Sequence, residues 1–240
     1  MTVSEITTVV ESFCEELSTR APQEVKPFLI GRKDKIKRQD LKQSPERFVS
    51  EDLIWPLLNA LELDYITEAY LQGQNGQADF LIQNTSEPVL GECKPFNHYK
   101  KAVSDLRNYL IHRTTQSAFG IATDGVNWLL IREPGDLRKN PEVVQYHTFR
   151  PAMFAYWLSE GVVSPDLEGH YVLWNSTVGE YQDYGDLHTV DPYRSSERFL
   201  NVFRLDKLNT QLESSSFDRT LADFSGPPHN ESENHSLDDF

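Results

Sequence analysis

The sequence predicts an α/β protein whose mixed central sheet is flanked by helices. Stretches with helical periodicity alternate with short runs of β-branched and aromatic residues, in the order helix, strand, strand, strand, helix, strand. Of the 240 residues, 38% are hydrophobic and 25% charged, so the chain is long enough to enclose a substantial core. We therefore expect one main domain with appendages.

The chain divides into four parts by composition. Residues 1–43 are expected to form a helix and a basic segment, 44–150 the core, and 151–212 a C-terminal extension packed on that core. Residues 213–240 hold seven acidic side chains against one arginine and are rich in serine. This composition predicts an acidic, disordered tail.

Two helices are predicted before the sheet. Residues 4–18 carry their apolar side chains on one stripe. Ser44-Pro45-Glu46 is typical of a helix start, with serine at the N-cap and proline in the first turn. This second helix is expected to run to about residue 61.

An acidic residue lies on the apolar stripe of the second helix. Glu51 is three residues from both Phe48 and Ile54, which belong to that stripe. An acid on a buried helix face needs a partner, and a metal ion is one such partner. The alternative is that Glu51 lies at the edge of the stripe, where it is half exposed.

Three strands are predicted next, at residues 64–71, 77–83 and 88–95. Asn75-Gly76 favours a tight hairpin between the first two, because both residues tolerate positive φ angles. After the third strand, Asp124-Gly125 predicts another hairpin turn. The remaining elements are expected to be helices at 97–113, 151–159 and 195–205, and strands at 117–123, 126–132, 143–148 and 171–174.

The second and third strands carry the residues that say most about chemistry. Glu92 and Lys94 lie two apart on the third strand, so their side chains leave the same face. If the hairpin between these strands is tight, Asp79 falls opposite Glu92 to within about one residue. Two carboxylates so placed can hold a divalent cation, while the lysine orients a water molecule or stabilises charge on a phosphate. The alternative interpretation of Glu92 and Lys94 is an ion pair on an exposed strand.

The distribution of charge points in two directions. The formal net charge of −14 argues against non-specific binding of polyanions by the whole surface. Residues 32–42, however, hold six basic side chains against two acidic ones. A phosphate contact surface at this segment and a solvated basic loop are equally compatible with the sequence. The basic side chains assigned to DNA contacts are Lys33, Lys35, Lys37 and Arg38.

The cysteine content and the N-terminal sequence favour a cytoplasmic protein. Cys14 and Cys93 are too few for a Cys-rich zinc site and suit a reducing compartment. The first residues are acidic and lack the basic and apolar parts of a signal peptide, and no apolar run is long enough to span a bilayer. We therefore expect no membrane partner.

Residues 44–132 resemble the PD-(D/E)xK nuclease superfamily, and more narrowly the N-terminal nuclease domain of the restriction subunit of type I restriction enzymes. The resemblance implies a restriction-endonuclease-like core with the order α-β-β-β-α-β. The segments that carry it are Ser50-Glu51-Asp52-Leu53-Ile54, Ala78-Asp79-Phe80, Glu92-Cys93-Lys94 and the run from Phe119 to Trp128.

The resemblance also implies roles for individual residues. Asp79 and Glu92 would bind Mg²⁺, or Mn²⁺ in its place, together with the backbone carbonyl of Cys93. Glu51 would complete the metal shell, and Lys94 would position the attacking water.

The chain departs from the family pattern at two positions. Asp105 stands four residues before Tyr109, where these families usually carry glutamine. Ala78 replaces the proline that precedes the first acid of the motif, a variation that is common in the family.

The sequence therefore favours a Mg²⁺-dependent endonuclease that acts on DNA in restriction or defence. Two alternatives stay open: a module of the same fold that has lost catalysis and binds nucleic acid or assembles with other proteins, and a nuclease of DNA repair. The sequence has no Walker-type phosphate loop. The nuclease is thus either free-standing or dependent on a motor, methylase or specificity subunit in trans, and a homodimer is also compatible.

Overall fold

The computed structural model describes residues 2–29, 38–70, 77–111, 118–132, 142–163, 172–175, 180–183 and 191–213. Helices flank a six-stranded mixed sheet, which makes the protein an α/β structure as predicted. The strands of this sheet are β1 (Tyr65–Tyr70), β2 (Gln77–Ile82), β3 (Val89–Cys93), β4 (Phe119–Thr123), β5 (Asn127–Arg132) and β6 (Glu142–Thr148). A separate antiparallel ribbon consists of β7 (Val172–Asn175) and β8 (Glu180–Asp183).

The described helices are α1 (Val3–Arg20), α2 (Val25–Leu29), α3 (Arg38–Leu41), α4 (Pro45–Val49), α5 (Trp55–Ala60), α6 (Tyr99–Ile111), α7 (Arg150–Ser159), α8 (Pro192–Phe203) and α9 (Leu205–Glu213). A π-helical segment, Ser50–Ile54, joins α4 to α5, so the predicted helix over 44–61 is present with a widened middle. The Ser44 hydroxyl accepts the Arg47 amide hydrogen bond at the start of α4, which confirms the predicted N-cap.

The strands of the sheet lie side by side in the order in which they occur along the chain. β3 pairs with β4 in parallel, and the other neighbours pair antiparallel. A parallel pair needs a crossover connection, and α6 provides it between β3 and β4. The β4–β5 turn contains Gly125 with a φ angle of 81°, which confirms the turn predicted from Asp124-Gly125.

The two faces of the sheet pack against different helices. One face belongs to the larger core, which also contains buried side chains from α1, α5, α7, α8 and α9. The other face lies under α6, where Leu90 and Ala122 of the sheet pack in one cluster with Leu106 of the helix. Glu92 follows Leu90 by two residues, so its side chain projects towards the face that α6 covers.

Helices from both ends of the described chain share the larger core. Phe13 of α1 and Phe199 of α8 lie in the same buried cluster as Trp128 of β5. The Trp128 and Phe199 rings have centroids 5.2 Å apart. Among the described residues, no helix combines the length and the apolar character that crossing a bilayer requires.

Several sequence-based predictions fall on other parts of the chain. The Asn75-Gly76 turn and the acidic tail from residue 214 lie outside the described residues. The helix α9 and the strand β8 were not predicted as separate elements. The short α2 was also missed, because five residues carry too little periodicity to signal a helix.

Candidate active site

The pairing of β2 with β3 brings Asp79 and Glu92 together. Phe80 pairs with Gly91, and continuing this register by one step places Asp79 opposite Glu92, as expected from the sequence. The Phe80 ring lies over Gly91, which has no side chain. A Cβ atom at Gly91 would overlap the ring of Phe80.

Asp79 is held by the backbone of the neighbouring strand. The Cys93 amide donates a hydrogen bond of 2.6 Å to Asp79 Oδ2. Burial raises the pKa of Asp79, whereas this hydrogen bond and the positive charge of Lys94 oppose the shift. The predicted role of the Cys93 carbonyl as a metal ligand stays a prediction.

Glu92 is the most deeply buried carboxylate of the cluster, with 4% of its surface exposed. Its Oε1 accepts a hydrogen bond from Lys94, and its Oε2 is buried without a hydrogen-bond partner. Burial and the charge of Asp79 raise the pKa of Glu92 to about 7, against the opposing effect of Lys94. A buried carboxylate oxygen without a partner is costly, and a bound cation would satisfy it.

Lys94 lies between two carboxylates. Its ammonium pairs with Glu92 and lies 3.2 Å from Asp105 Oδ2 on α6. Its backbone amide bonds to the Thr123 carbonyl at the end of β4, which fixes the chain where β3 ends. Burial lowers the pKa of Lys94, but the hydrogen bond to Glu92 and the surrounding negative charges raise it more, so the ammonium stays charged at neutral pH.

The helix α6 lines one side of this cluster with Asp105 and Tyr109. These residues are four apart and therefore neighbours on one helix face. The Tyr109 hydroxyl donates a hydrogen bond of 3.1 Å to the Gln77 carbonyl at the start of β2. Burial and the charges of Glu92 and Asp79 raise the Tyr109 pKa, which shows that the ring lies within reach of the acidic pair.

Of the two positions that the sequence left open for Glu51, the structure shows the exposed one at the edge of the stripe and not the buried one. Glu51 is exposed, and its carboxylate accepts a hydrogen bond of 2.7 Å from Arg47. The buried stripe includes Val49 and Leu53, which are four residues apart, and Glu51 falls midway between them on the outer side. The role of Glu51 in the metal shell stays a prediction, and its carboxylate is paired with Arg47.

A different acid of this helix interacts electrostatically with the cluster. Glu46 in the first turn of α4 is half-buried, three residues before the buried Val49. Burial raises its pKa, and its carboxylate interacts electrostatically with the charges of Lys94 and Asp79. The sequence analysis considered Glu46 only as part of the helix start Ser44-Pro45-Glu46, so it missed this interaction with the site.

A second missed carboxylate comes from the edge strand. Glu68 has a φ angle of 53°, which interrupts the regular β1 backbone opposite Asp79, between the paired residues Thr67 and Ala69. Its negative charge contributes to the raised pKa of Asp79. No local signal in the sequence predicts this conformation.

A buried polar network supports the loop that follows Lys94. The Arg150 guanidinium donates hydrogen bonds to the carbonyls of Phe28 at 2.7 Å and Leu29 at 3.0 Å, and to the Asn97 side chain. Asp124 accepts hydrogen bonds from the Asn127 amide and side chain. The Arg150 contacts join Asn97, in the β3–α6 loop, to the end of α2, and Asp124 also accepts a hydrogen bond from the Tyr99 amide at the start of α6.

The basic residues assigned to DNA contacts are largely outside the described structure. Lys33, Lys35 and Lys37 lie outside the described residues, and Arg38 is exposed at the start of α3. Leu29, which precedes this segment, is tied through Arg150 to the loop after Lys94. Of these four side chains, Arg38 alone lies among the described residues, so their assignment to DNA contacts stays a prediction.

The cluster suits a divalent cation held by two carboxylates. No three His, Cys, Asp or Glu side chains in the described ranges are grouped so that they could hold a metal ion. Mg²⁺ commonly binds through one or two carboxylates, with waters and substrate phosphate oxygens filling the other positions. Asp79 and the unpartnered Oε2 of Glu92 meet that requirement.

Comparison with other proteins identifies no relative. No protein-family model matches this chain, and neither a curated protein nor a solved structure does. The functional argument therefore rests on the site geometry and on the sequence motifs.

Proposed function

We propose that this protein is a Mg²⁺-dependent endonuclease that hydrolyses DNA phosphodiester bonds, with a role in restriction or defence. One observation carries the proposal: Oε2 of Glu92 is buried without a hydrogen-bond partner, while Oε1 of the same carboxylate pairs with Lys94 and Asp79 lies on the neighbouring strand. The order of strands and helices around this cluster supports a restriction-endonuclease-like core. The choice of DNA as substrate rests on the motif resemblance of residues 44–132.

Each residue of the cluster has a part in the proposed reaction. Asp79 and Glu92 would hold Mg²⁺, or Mn²⁺ in its place. The bound ion would supply charge stabilisation on the phosphate and make a water molecule more acidic. Lys94 would act as a hydrogen-bond donor that orients the water or the phosphate, because the hydrogen bond to Glu92 and the nearby negative charges raise its pKa and favour the charged ammonium.

Substrate binding requires local positive charge on an acidic protein. With a net charge of −14, the whole surface repels a polyanion, so the contacts must be concentrated. We assign them to the basic segment, at Lys33, Lys35, Lys37 and Arg38, of which Arg38 is exposed at the start of α3. Two buried cysteines, both unpaired, suit a cytoplasmic location.

A second candidate function is a module of the same fold without catalysis. The observation that favours it is the ion pairing of Lys94, whose ammonium already neutralises Glu92 and contacts Asp105. In that reading the pair is structural and no cation binds. The two functions differ in whether the purified protein binds Mg²⁺.

Plasmid cleavage with Mg²⁺ tests the proposal. We expect nicking or linearisation by the wild type, and its loss with EDTA, in Asp79→Ala and in Lys94→Ala. The matched control is Lys207→Ala, which removes an exposed lysine of α9 and should leave cleavage unchanged. Cleavage that persists in Asp79→Ala would contradict the assignment of the active site. Absence of both cleavage and Mg²⁺ binding would favour the non-catalytic module.

A further inference from the structure

Lys94 has two acidic partners that come from different elements. Glu92 lies on the same strand, whereas Asp105 reaches the ammonium from α6, with 3.2 Å between Nζ and Oδ2. Glu92 and Lys94 are almost fully buried, and the Asp105 side chain is 33% exposed. Lys94 is therefore bracketed by carboxylates on two sides.

The two partners are not equivalent when a cation binds. Glu92 has one oxygen on Lys94 and one without a partner, so the same carboxylate would serve both the ammonium and the metal ion. A divalent cation on Glu92 repels the ammonium and competes for its charge. The contact between Asp105 and the ammonium comes from α6 and does not use the Glu92 carboxylate.

The charges of the cluster also depend on position 105. Asp79, Glu92 and Asp105 can carry three negative charges against the one ammonium, and Glu46 and Glu68 add negative charge nearby. A neutral glutamine or asparagine at position 105 would leave the ammonium with Glu92 as its one salt-bridge partner among the described residues. A carboxylate at position 105 balances the positive charge of the Lys94 ammonium without using Glu92.

We propose that Asp105 is a positioning residue that retains the Lys94 ammonium in the site when Glu92 binds a divalent cation. The inference rests on the proposed Mg²⁺ site and assigns a role to a residue at which the chain departs from the family pattern. Asp105 acts through Lys94 and does not itself bind the ion. Its contribution to metal binding therefore requires that Lys94 is present.

A double-mutant cycle tests this dependence. Mg²⁺ dissociation constants are measured by calorimetry for the wild type, Asp105→Asn, Lys94→Met and the double variant, at one pH and one ionic strength. We expect Asp105→Asn to weaken Mg²⁺ binding by about tenfold when Lys94 is present and by less than about twofold in Lys94→Met, which is within the range of coupling between contacting charged residues. An equal loss in both backgrounds overturns the proposal, because Asp105 would then act on the ion directly. No loss in either background also overturns it.

Two further measurements separate positioning from a general effect on the fold. The side-chain ammonium signal of Lys94 in ¹⁵N NMR should persist on addition of Mg²⁺ in the wild type and in Asp105→Glu, and should be lost in Asp105→Asn. Asp206→Asn is the matched control, since Asp206 pairs with Arg204 on the surface, and it should change neither readout. An ammonium signal that survives in Asp105→Asn contradicts the role.

The outcomes distinguish this inference from the proposed function. A wild type that binds Mg²⁺ and cleaves DNA, with no coupling between Asp105 and Lys94, overturns the positioning role alone. A wild type that binds no Mg²⁺ overturns the proposed function and removes the basis of the positioning role with it.

Discussion

The backbone amide of Cys93 donates a hydrogen bond of 2.6 Å to Oδ2 of Asp79, across the antiparallel pair β2–β3. The bond aims the carboxylate at the end of β3, where Glu92 and Lys94 lie. A main-chain donor cannot rotate away as a side chain can, so the position of Asp79 is set by the strand pairing itself. The candidate site is therefore built largely from the sheet backbone.

The charge of Asp79 should control the protonation of its neighbour. Burial is the largest cause of the raised Glu92 pKa, and the Asp79 carboxylate is the next. We expect Asp79→Asn to lower the Glu92 pKa from about 7 towards its ordinary value of 4.5. Carbon-13 NMR titration of the glutamate carboxyl groups measures it, with Asp206→Asn as the control. A pKa that does not move would show that the two carboxylates are uncoupled.

Binding of Mg²⁺ should tighten as the pH rises. Metal ligation needs the carboxylate form of Glu92, and its pKa of about 7 means that the protein at pH 6 carries mostly the protonated form. We expect the affinity to increase between pH 6 and pH 8, with release of protons near pH 6.5. Calorimetry in two buffers of different ionisation enthalpy measures the release. An affinity independent of pH across this range contradicts Glu92 as a ligand.

In the metal-free protein, the contribution of Glu92 to the free energy of unfolding should fall as the pH rises, whereas Mg²⁺ affinity rises. The folded pKa of about 7 exceeds the ordinary value of 4.5, so this contribution is fully present below pH 4.5 and is lost as the pH rises through 7. Glu92→Gln keeps a neutral side chain at every pH. Relative to the wild type, we expect its unfolding free energy to gain on the order of 2 kcal/mol between pH 5 and pH 8. Urea unfolding of both proteins with EDTA at pH 5 and pH 8 measures the gain. If the difference in unfolding free energy between Glu92→Gln and the wild type is the same at both pH values, the prediction is wrong.

Adding one methyl group at Gly91 should disturb both the fold and the site. The new Cβ would overlap the Phe80 ring, which lies in the larger core next to Asp79. We expect Gly91→Ala to lower the free energy of unfolding by about 2 kcal/mol, as overpacked cores do. The double variant with Phe80→Leu should recover part of the loss. Additive losses in the double variant would show that the ring is not the cause.

The buried arginine of α7 should be important for stability. Arg150 is 2% exposed and supplies donors to the Phe28 and Leu29 carbonyls. Arg150→Met removes the donor to Leu29 and one of the two donors to Phe28, whose carbonyl also accepts from the Asn97 side chain, and we expect a loss of about 3 kcal/mol. The control Arg204→Met removes an exposed ion pair and should cost less than about 1 kcal/mol. Thermal or urea unfolding of both variants measures the difference; equal costs would contradict the role of the buried network.

Short-range sequence patterns were sufficient for the sheet around the site. The predicted strands over 77–83 and 88–95 match β2 and β3 within about two residues, because alternating burial and turn residues are local signals. The pairing of Asp79 with Glu92 followed from the same patterns. Glu51 was placed on the stripe with Phe48 and Ile54, which are both buried, but its own side chain lies on the outer side of the helix and pairs with Arg47.

Two features of the site, one ion pair and one backbone conformation, could not be predicted from local sequence patterns. Asp105 lies on α6, eleven residues after Lys94, and its ion pair depends on where that helix crosses the sheet. Glu68 likewise adopts a left-handed backbone conformation that neither its residue type nor the neighbouring sequence predicts. Such contacts depend on docking between elements, and a single sequence carries no direct record of docking.

The sequence alone therefore determined the strands, the helix start at Ser44 and the two-residue spacing that puts Glu92 and Lys94 on one face. Tertiary structure decided which acids meet Lys94 and how deeply Glu92 is buried. The reason is physical: strand alternation and helix capping arise from neighbouring residues, whereas desolvation and ion pairing arise from side chains that only the packed core brings together. The raised pKa of Glu92 is the clearest case, because burial, its largest cause, exists only in the folded chain.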